Sequence, residues 1–235
     1  MVEAKEEDFY EVYPDFRIYQ PPNLKPKHSR QFDQEFWIPS QCSRDSAVLE
    51  IGSGTGLFLA YLQAKQVERF FGIDTDAAVL EVIPESLKPF IKIQSVWDFL
   101  DQEVPPGKFD HIVLFDVFEH FSPHEGVALL EKFKSILSPG GRVTLRVPNM
   151  ASPWGLQYQY HDLTHKAAYT SGSIKQVALA AGYECLKCLP QRRKRGLRRL
   201  TETSLEFLVS KLITEPPGIW SANFIAVLEW GGDPS

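Results

Sequence analysis

The chain has 235 residues, 43% hydrophobic and 12% aromatic, which indicates a globular protein with one well-buried domain. Its formal net charge of −5 argues against a dedicated nucleic-acid binder, because such proteins usually carry a basic balance. The three cysteines are too few for a disulfide framework, and the first residues are polar and acidic rather than apolar. We therefore expect a cytoplasmic protein in a reducing compartment.

The first 40 residues predict an arm and a helix ahead of the core. Residues 1–26 are acidic and then rich in proline, which is typical of a segment that lies on a domain. Residues 27–40 predict a lid or packing helix, because three aromatic side chains share one helical face: Phe32, Phe36 and Trp37. His28 lies at the start of this helix and could meet an anion; the alternative is a solvated polar side chain.

The stretch from Val48 to Gly56 reads VLEIGSGTG and predicts a buried strand, a tight turn and a helix N-terminus. Glycines in such a turn allow positive φ and close approach of the backbone to a ligand, and the helix start offers free N–H groups. The next apolar run ends at Asp74, where a second parallel strand would bring a carboxylate to ribose hydroxyls. The stretch therefore predicts a cradle for a small molecule.

Strand-like and helix-like runs alternate further along the chain. After the cradle helix, strands are predicted at 67–74, 89–94, 109–117, 142–148, 183–190 and 223–230, with helices at 76–86, from Ser122 to the SPGG stop at 138–141, and at 171–182. We predict an α/β, doubly wound (Rossmann-like) fold: a seven-stranded, mostly parallel sheet with an antiparallel last strand, an N-terminal helical arm and a helical insertion before the last strand.

This pattern divides the chain into four predicted parts. They are the arm and lid helix (1–40), a core (41–190) that contains an acceptor-binding loop (149–169), a basic and amphipathic helical insertion (191–221), and a closing strand with its tail (222–235). Cys185 and Cys188 have C-x-x-C spacing, but no second pair completes a metal site, so we interpret them as strand residues and predict no metal.

The residues next to the glycine turn restrict the class of ligand that it can bind. The chain has no G-x-x-x-x-G-K-[ST] run, and Leu57 stands where a dinucleotide fingerprint needs its last glycine, so a phosphate cradle is disfavoured. Glu50 precedes the first glycine by two residues and would repel phosphate, whereas it would tolerate a cation. A sulfonium ligand with an attached ammonium group meets this demand.

These motifs resemble class I S-adenosylmethionine-dependent methyltransferases over roughly residues 28–190. The resemblance rests on VLEIGSGTG, on GID ending at Asp74, on FDVFEHF (115–121) and on LSPGGRVTLRVPN (137–149). It implies S-adenosyl-L-methionine as cofactor and S-adenosyl-L-homocysteine as product. The predicted cofactor site consists of Glu50, Gly52, Ser53, Gly54, Gly56, Asp74, Ser95, Val96, Trp97, Asp116 and His28.

The resemblance gives some of these residues a part in the site. It implies that the three glycines pack on the cofactor, that Asp74 holds its ribose and that Asp116 faces its methionine part. Ser95 departs from the family pattern, because relatives often have an acid there, next to the adenine.

The residues that act on the acceptor are predicted near the ends of later strands. In-line methyl transfer needs the acceptor oxygen held in place and its proton removed, and a neutral imidazole suits that task. The candidates are His165, His161 and His120, with Asp162 orienting an imidazole or binding the acceptor hydroxyl. We favour His165 or His161 as the general base; the alternative for His120 is a backbone hydrogen bond that fixes its loop. The D-x-T-H pattern at 162–165 also resembles methyltransferases found with bacterial surface-polysaccharide synthesis.

We therefore expect methyl transfer to an acceptor hydroxyl of a glycan or glycan precursor. The alternatives are a methyltransferase of another small metabolite of the quinone or phenol type, an RNA methyltransferase, and a non-catalytic protein that binds S-adenosylmethionine. Against RNA stand the acidic balance and the lack of an N-P-P-Y-like tetrapeptide after the fourth strand.

The six basic residues within 191–200 and the amphipathic run that follows, to 213, predict weak peripheral contact with the inner face of a membrane; the alternative is a solvated surface. The oligomeric state is left open.

Overall fold

A computed structural model of the protein describes residue 9 and residues 19–102, 109–191 and 197–232. Seven strands form one sheet in the order β3-β2-β1-β4-β5-β7-β6. They are β1 Ala47–Ile51, β2 Arg69–Asp74, β3 Ile91–Ile93, β4 Phe109–Phe115, β5 Leu137–Pro148, β6 Glu184–Pro190 and β7 Asn223–Glu229. The first five strands are parallel, and β7 lies antiparallel between β5 and β6. The predicted fold class is confirmed.

Nine helices of the described residues flank this sheet or connect its strands. They are α1 Pro26–Phe32, α2 Ile38–Ser40, α3 Leu57–Ala64, α4 Val79–Val82, α5 Val96–Asp101, α6 Pro123–Phe133, α7 Leu156–Gln159, α8 Ser171–Ala180 and α9 Leu197–Leu212. A π-helical turn at Asp33–Trp37 joins α1 to α2, and 3₁₀ turns lie at Lys88–Phe90 and Phe118–His120. Among the described residues, no helix combines the length and apolar character needed to cross a membrane.

Two local predictions were wrong in extent, and one helix was missed. The helix predicted at 76–86 is limited to α4, since Pro84 cannot continue it. Helix α5 was not predicted; Ser95 begins it, its hydroxyl accepting the N–H of Asp98 at 3.1 Å. Strand β5 starts at Leu137, just before the predicted SPGG stop at 138–141, because Leu137 already pairs with Phe109 before the register shifts. Apart from residue 9, the arm up to residue 18 lies outside the described residues, as do residues 192–196 of the basic segment.

Apolar side chains cover both faces of the sheet. The cluster on one face includes Phe32 and Phe36, which are 6% and 0% exposed and lie with their ring centroids 5.1 Å from that of Phe58 in α3. The segment from α1 to α2 is thus a packing element of the core. The other cluster contains α6 and α8 and the 3₁₀ turn after β4, with Phe118 fully buried.

The residues from 149 to 169 form a connection that is fixed at both ends. Asn149 and Tyr169 make a β-bridge, and Met150 donates its N–H to the Tyr169 carbonyl at 2.9 Å. The carbonyl of Glu119, in the turn after β4, accepts the N–H groups of Lys166 and Ala167 at 2.9 and 3.1 Å. These bonds hold the connection beside the carboxyl end of β4.

Candidate active site

A cavity of about 590 Å³ opens at the carboxyl ends of β1, β2, β3 and β4. This volume is typical of small-molecule sites. Ten of the predicted site residues line it: Glu50, Gly52, Ser53, Gly54, Asp74, Ser95, Val96, Trp97, Asp116 and His120. The structure therefore brings together residues from four different strand ends that the sequence places up to 70 positions apart.

Two glycines of the turn serve different purposes. Both have positive φ, +71° at Gly52 and +51° at Gly54. A Cβ on Gly52 would collide with Cγ2 of Val117, so this glycine is needed for packing. A Cβ on Gly54 would meet no atom within 4 Å, so this glycine leaves open space beside the cavity that its residue lines. Gly56 does not line the cavity and is the N-cap of α3.

The Asp74 carboxylate holds the turn in place. Its Oδ2 accepts the N–H of Gly54 at 2.7 Å, and its Oδ1 accepts the N–H of Asp76 at 3.0 Å. Burial raises the pKa of Asp74, while these backbone N–H groups act in the opposite direction. Each carboxylate oxygen has two lone pairs, so the residue keeps acceptor capacity toward the cavity.

Glu50 is a buried acid at the cavity, 4% exposed. Its Oε2 has no hydrogen-bond partner. Burial raises the pKa of Glu50 well above its ordinary value, the charge of Asp74 adds to this, and Arg146 opposes it. An acid in this position can be stabilised in its charged form by a cationic ligand.

Arg146 of β5 also lines the cavity, and sequence reasoning missed it. Its guanidinium donates two hydrogen bonds to Asp116, at 2.9 and 2.6 Å, and one to Oε2 of Glu35, at 2.8 Å. Burial disfavours its charge, but the two acids outweigh burial and raise the pKa of Arg146. The one available signal was an arginine within the apolar strand pattern RVTLRVP, since a buried arginine needs an acidic partner.

A second missed residue comes from the segment before α1. Tyr19 lines the cavity and donates its hydroxyl to Oδ2 of Asp76 at 2.8 Å. The sequence around it has no period that would have identified it.

Histidines from two segments meet beyond the end of β4. The rings of His120 and His165 lie 4.7 Å apart, edge to face. Nδ1 of His120 is 3.0 Å from the hydroxyl of Thr164, and that hydroxyl donates to Oδ1 of Asp162 at 2.5 Å. Nδ1 of His165 is 2.9 Å from the carbonyl of Gln159. Thr164 was not predicted to take part, although the D-x-T-H pattern contains it.

The charge of Asp162 is stabilised in this arrangement. Burial acts to raise its pKa, but the hydroxyl and N–H of Thr164 and the charges of the two histidines outweigh burial and lower the pKa of Asp162. We name His120, Asp162 and His165 the histidine cluster. His120 is the member that lines the cavity.

Two predicted residues lie apart from this assembly. Nδ1 of His28 accepts the N–H of Lys25 at 3.3 Å, a bond that caps α1, and His28 does not line the cavity. His161 is exposed and does not line it either.

The sheet order, the glycine turn after β1 and the acid at the end of β2 define a protein of the Rossmann-like class I methyltransferase fold. The chain belongs to the family described as "Methyltransferase domain", whose family model matches residues 20–187. No curated protein matches the sequence. The protein is thus an S-adenosylmethionine-dependent methyltransferase.

Solved structures share the fold at low sequence identity. A SAM-dependent methyltransferase from Archaeoglobus fulgidus is 18% identical with a TM-score of 0.66, covering 94% of this chain and 100% of that one. Magnesium protoporphyrin IX methyltransferase from Synechocystis PCC 6803, solved with bound SAM, is 12% identical with a TM-score of 0.56 and coverages of 98% and 99%. An O-methyltransferase family protein from Burkholderia thailandensis is 12% identical, TM-score 0.55, with coverages of 88% and 58%.

The cavity fits S-adenosylmethionine, which is a cation. Its lining has more acidic than basic side chains: Glu50, Asp74, Asp76, Asp116 and Glu125 against Arg146 and Lys166. The unpartnered Oε2 of Glu50 and the open space at Gly54 are both features that a bound cationic ligand would use.

Proposed function

We propose that the protein methylates a hydroxyl of a glycan or glycan precursor. S-adenosylmethionine supplies the activated methyl group. The observation that carries the proposal is the position of His120, which lines the cavity and is linked through Thr164 to Asp162. An imidazole with such support is suited to the activation of an alcohol.

The donor side of the site is assigned to the residues around the glycine turn. Gly54 and Asp74 would hold the cofactor's ribose side, and Ser95, Val96 and Trp97 its adenine. Glu50 would face the cationic part of the cofactor, where its negative charge is favourable. Asp116 is already paired with Arg146, so it contributes an oriented and largely neutralised carboxylate.

The acceptor side is assigned to the histidine cluster and to the connection 149–169. The cluster activates the acceptor hydroxyl; His161, which is exposed, is the least supported of the predicted catalytic residues. Trp154 and Tyr160 are 54% and 70% exposed, and aromatic faces of this kind bind sugar rings. These exposed rings favour a glycan over a small phenol.

Helix α9 would contact the lipid part of a membrane-linked precursor. Its exposed apolar side chains include Leu205, Phe207, Leu208 and Leu212. The basic residues that precede them in the sequence would attract anionic head groups, at about 1 kcal/mol for each lysine or arginine near the surface. We place the protein in the cytoplasm, with peripheral contact at the inner face of the membrane through residues 191–213.

The test is incubation with S-adenosylmethionine labelled in its methyl group and with separate fractions of lipid-linked glycan, small phenols and RNA. Label in the glycan fraction is the expected result. Label in phenols or RNA instead would contradict the acceptor, and binding of S-adenosylmethionine without label in any fraction would favour the non-catalytic alternative.

A matched pair of variants tests the histidine cluster. His120→Ala should lower kcat by about 10²-fold or more while calorimetry shows unchanged affinity for S-adenosylmethionine. The control is His124→Ala, because His124 is exposed in the first turn of α6. Equal activity of the two variants would contradict the assignment.

A further inference from the structure

The histidine cluster has the composition and spacing of a metal site. His120, Asp162 and His165 each offer one ligand atom, and these atoms lie within 4.8 Å of one another. Two imidazoles and one carboxylate form a ligand set that divalent transition metals accept with open coordination positions. Among the described residues, this is the group of histidine, cysteine and acidic side chains that meets the spacing.

The hydrogen bonds of both rings direct their lone pairs away from Nδ1. The carbonyl of Gln159 can only accept, so Nδ1 of His165 carries a proton when it bonds to it. The Thr164 hydroxyl gives its proton to Asp162, so it accepts from Nδ1 of His120. In each neutral ring the lone pair is then on Nε2. Metal-binding histidines are oriented in this way, by donation from the second nitrogen to a carbonyl or a carboxylate network.

The cluster is held in place by the surrounding chain. The Glu119 carbonyl binds the N–H groups of Lys166 and Ala167, which fixes the connection beside the turn that carries His120. Gln159 is 5% exposed and donates its side-chain amide to the Ala167 carbonyl at 3.1 Å. Asp162 is itself only 9% exposed. The ligands are therefore positioned before any ion arrives, which lowers the ordering cost of binding.

The electrostatic surroundings favour a cation. Glu119 is 1% exposed and its Oε2 has no hydrogen-bond partner. Asp116 and Asp162 lie close enough for their charges to act on Glu119. A divalent ion beside Asp162 would reduce the repulsion among these three carboxyl groups.

We propose that His120, Asp162 and His165 bind a divalent transition-metal ion, with zinc as the probe, and that this ion binds the acceptor hydroxyl. The inference rests on the proposed function and gives the cluster its means of activating the alcohol. It also replaces the sequence prediction that the chain has no metal site.

The ion lowers the pKa of the hydroxyl bound to it. The hydroxyl proton leaves to solvent, the oxygen forms a bond to the methyl carbon, and the bond from that carbon to sulfur breaks with its electron pair remaining on sulfur.

The test measures zinc binding directly, without an acceptor. The full chain carries Cys185→Ser and Cys188→Ser, because the Sγ atoms of these cysteines lie 3.6 Å apart and could bind zinc independently. After treatment with a chelator, calorimetry with zinc should show one site per chain. Asp162→Asn and His165→Gln should each weaken this site by about 10-fold or more, whereas the exposed neighbour His161→Gln should leave it unchanged. Circular dichroism and Tm show that each variant is folded.

No zinc binding, or equal binding by all variants, overturns the proposal. If zinc binds but label enters no glycan fraction, the metal site stands and the proposed acceptor is wrong. If zinc-free protein methylates its acceptor at the full rate, the ion does not activate the hydroxyl, and Nε2 of His120 acts as the general base instead.

Discussion

Replacing Arg146 with methionine should unfold the protein at a much lower urea concentration. Methionine keeps most of the apolar stem but removes the three charge-assisted hydrogen bonds of 2.6–2.9 Å to Glu35 and Asp116. The Asp116 side chain is 37% exposed and can be rehydrated. The Glu35 side chain is 3% exposed and cannot. Removing one partner of a buried pair costs about 3–5 kcal/mol, which for a chain of this length lowers Tm by roughly 6–20 °C.

The control comes from the same strand. Arg142 pairs with Glu229 at 2.7 Å, but both side chains are more accessible, at 17% and 28%. We expect Arg142→Met to lower the free energy of unfolding by about 1–2 kcal/mol, because water can replace more of the lost hydrogen bonds at this accessible site. The double variant Glu35→Gln with Arg146→Met removes the buried charge together with its partner. It should therefore recover a large part of the lost stability.

Urea unfolding followed by fluorescence and by far-UV circular dichroism gives the free energy of unfolding for all three variants. A loss below 1 kcal/mol for Arg146→Met, or equal losses at Arg146 and Arg142, would refute the argument that Glu35 depends on Arg146. Failure of the double variant to recover stability would place the loss in the packing of the arginine stem instead.

Two further predictions concern charge at the cofactor site and at α9. Burial raises the pKa of Glu50, so this acid destabilises the folded state once the pH exceeds the pKa that Glu50 has in the unfolded state. Glu50→Gln should therefore raise Tm at pH 8 and lose that advantage toward pH 4. The same variant should bind S-adenosylmethionine about 10-fold less tightly, which is about 1.4 kcal/mol. A lower Tm at pH 8 in thermal melts would contradict this. At α9, co-sedimentation with anionic liposomes should occur at low salt, weaken at high salt and decrease in Phe207→Ser with Leu212→Ser. Absence of binding at low salt would remove the membrane contact.

The donor half of the site could be predicted because it depends on local sequence. The strand, the glycine turn and the start of α3 follow within the eleven residues from Ala47 to Leu57, and each has its own pattern. Asp74 then needs only the rule that consecutive parallel strands end at the same edge. The structure also shows that Asp74 accepts a hydrogen bond from the glycine turn, which its spacing in the sequence did not predict.

The remaining parts depend on partners far apart in the chain. Arg146 meets Glu35 across 111 positions, and His120 meets Thr164 across 44. No period or spacing rule connects such pairs, since they arise only when the sheet order brings β5 beside β4 and the connection 149–169 folds over it. The sequence therefore favoured His165 or His161 as the base, whereas the histidine of these three that lines the cavity is His120.

The connection 149–169, to which we assign the acceptor, also contacts the segment that follows α9, and this bears on the kind of acceptor that we propose. The Asn149 side-chain amide donates to the carbonyls of Ile219 and Ser221 at 2.8 and 3.0 Å, and the Ser152 hydroxyl donates to that of Trp220 at 2.6 Å. The helix for which we propose lipid contact is thus followed directly by a segment that is hydrogen-bonded to the connection assigned to the acceptor. An acceptor anchored in a membrane would contact helix α9 and the connection 149–169 together, whereas a freely diffusing phenol would gain nothing from helix α9. This reasoning is why we propose a lipid-linked glycan rather than the other acceptors.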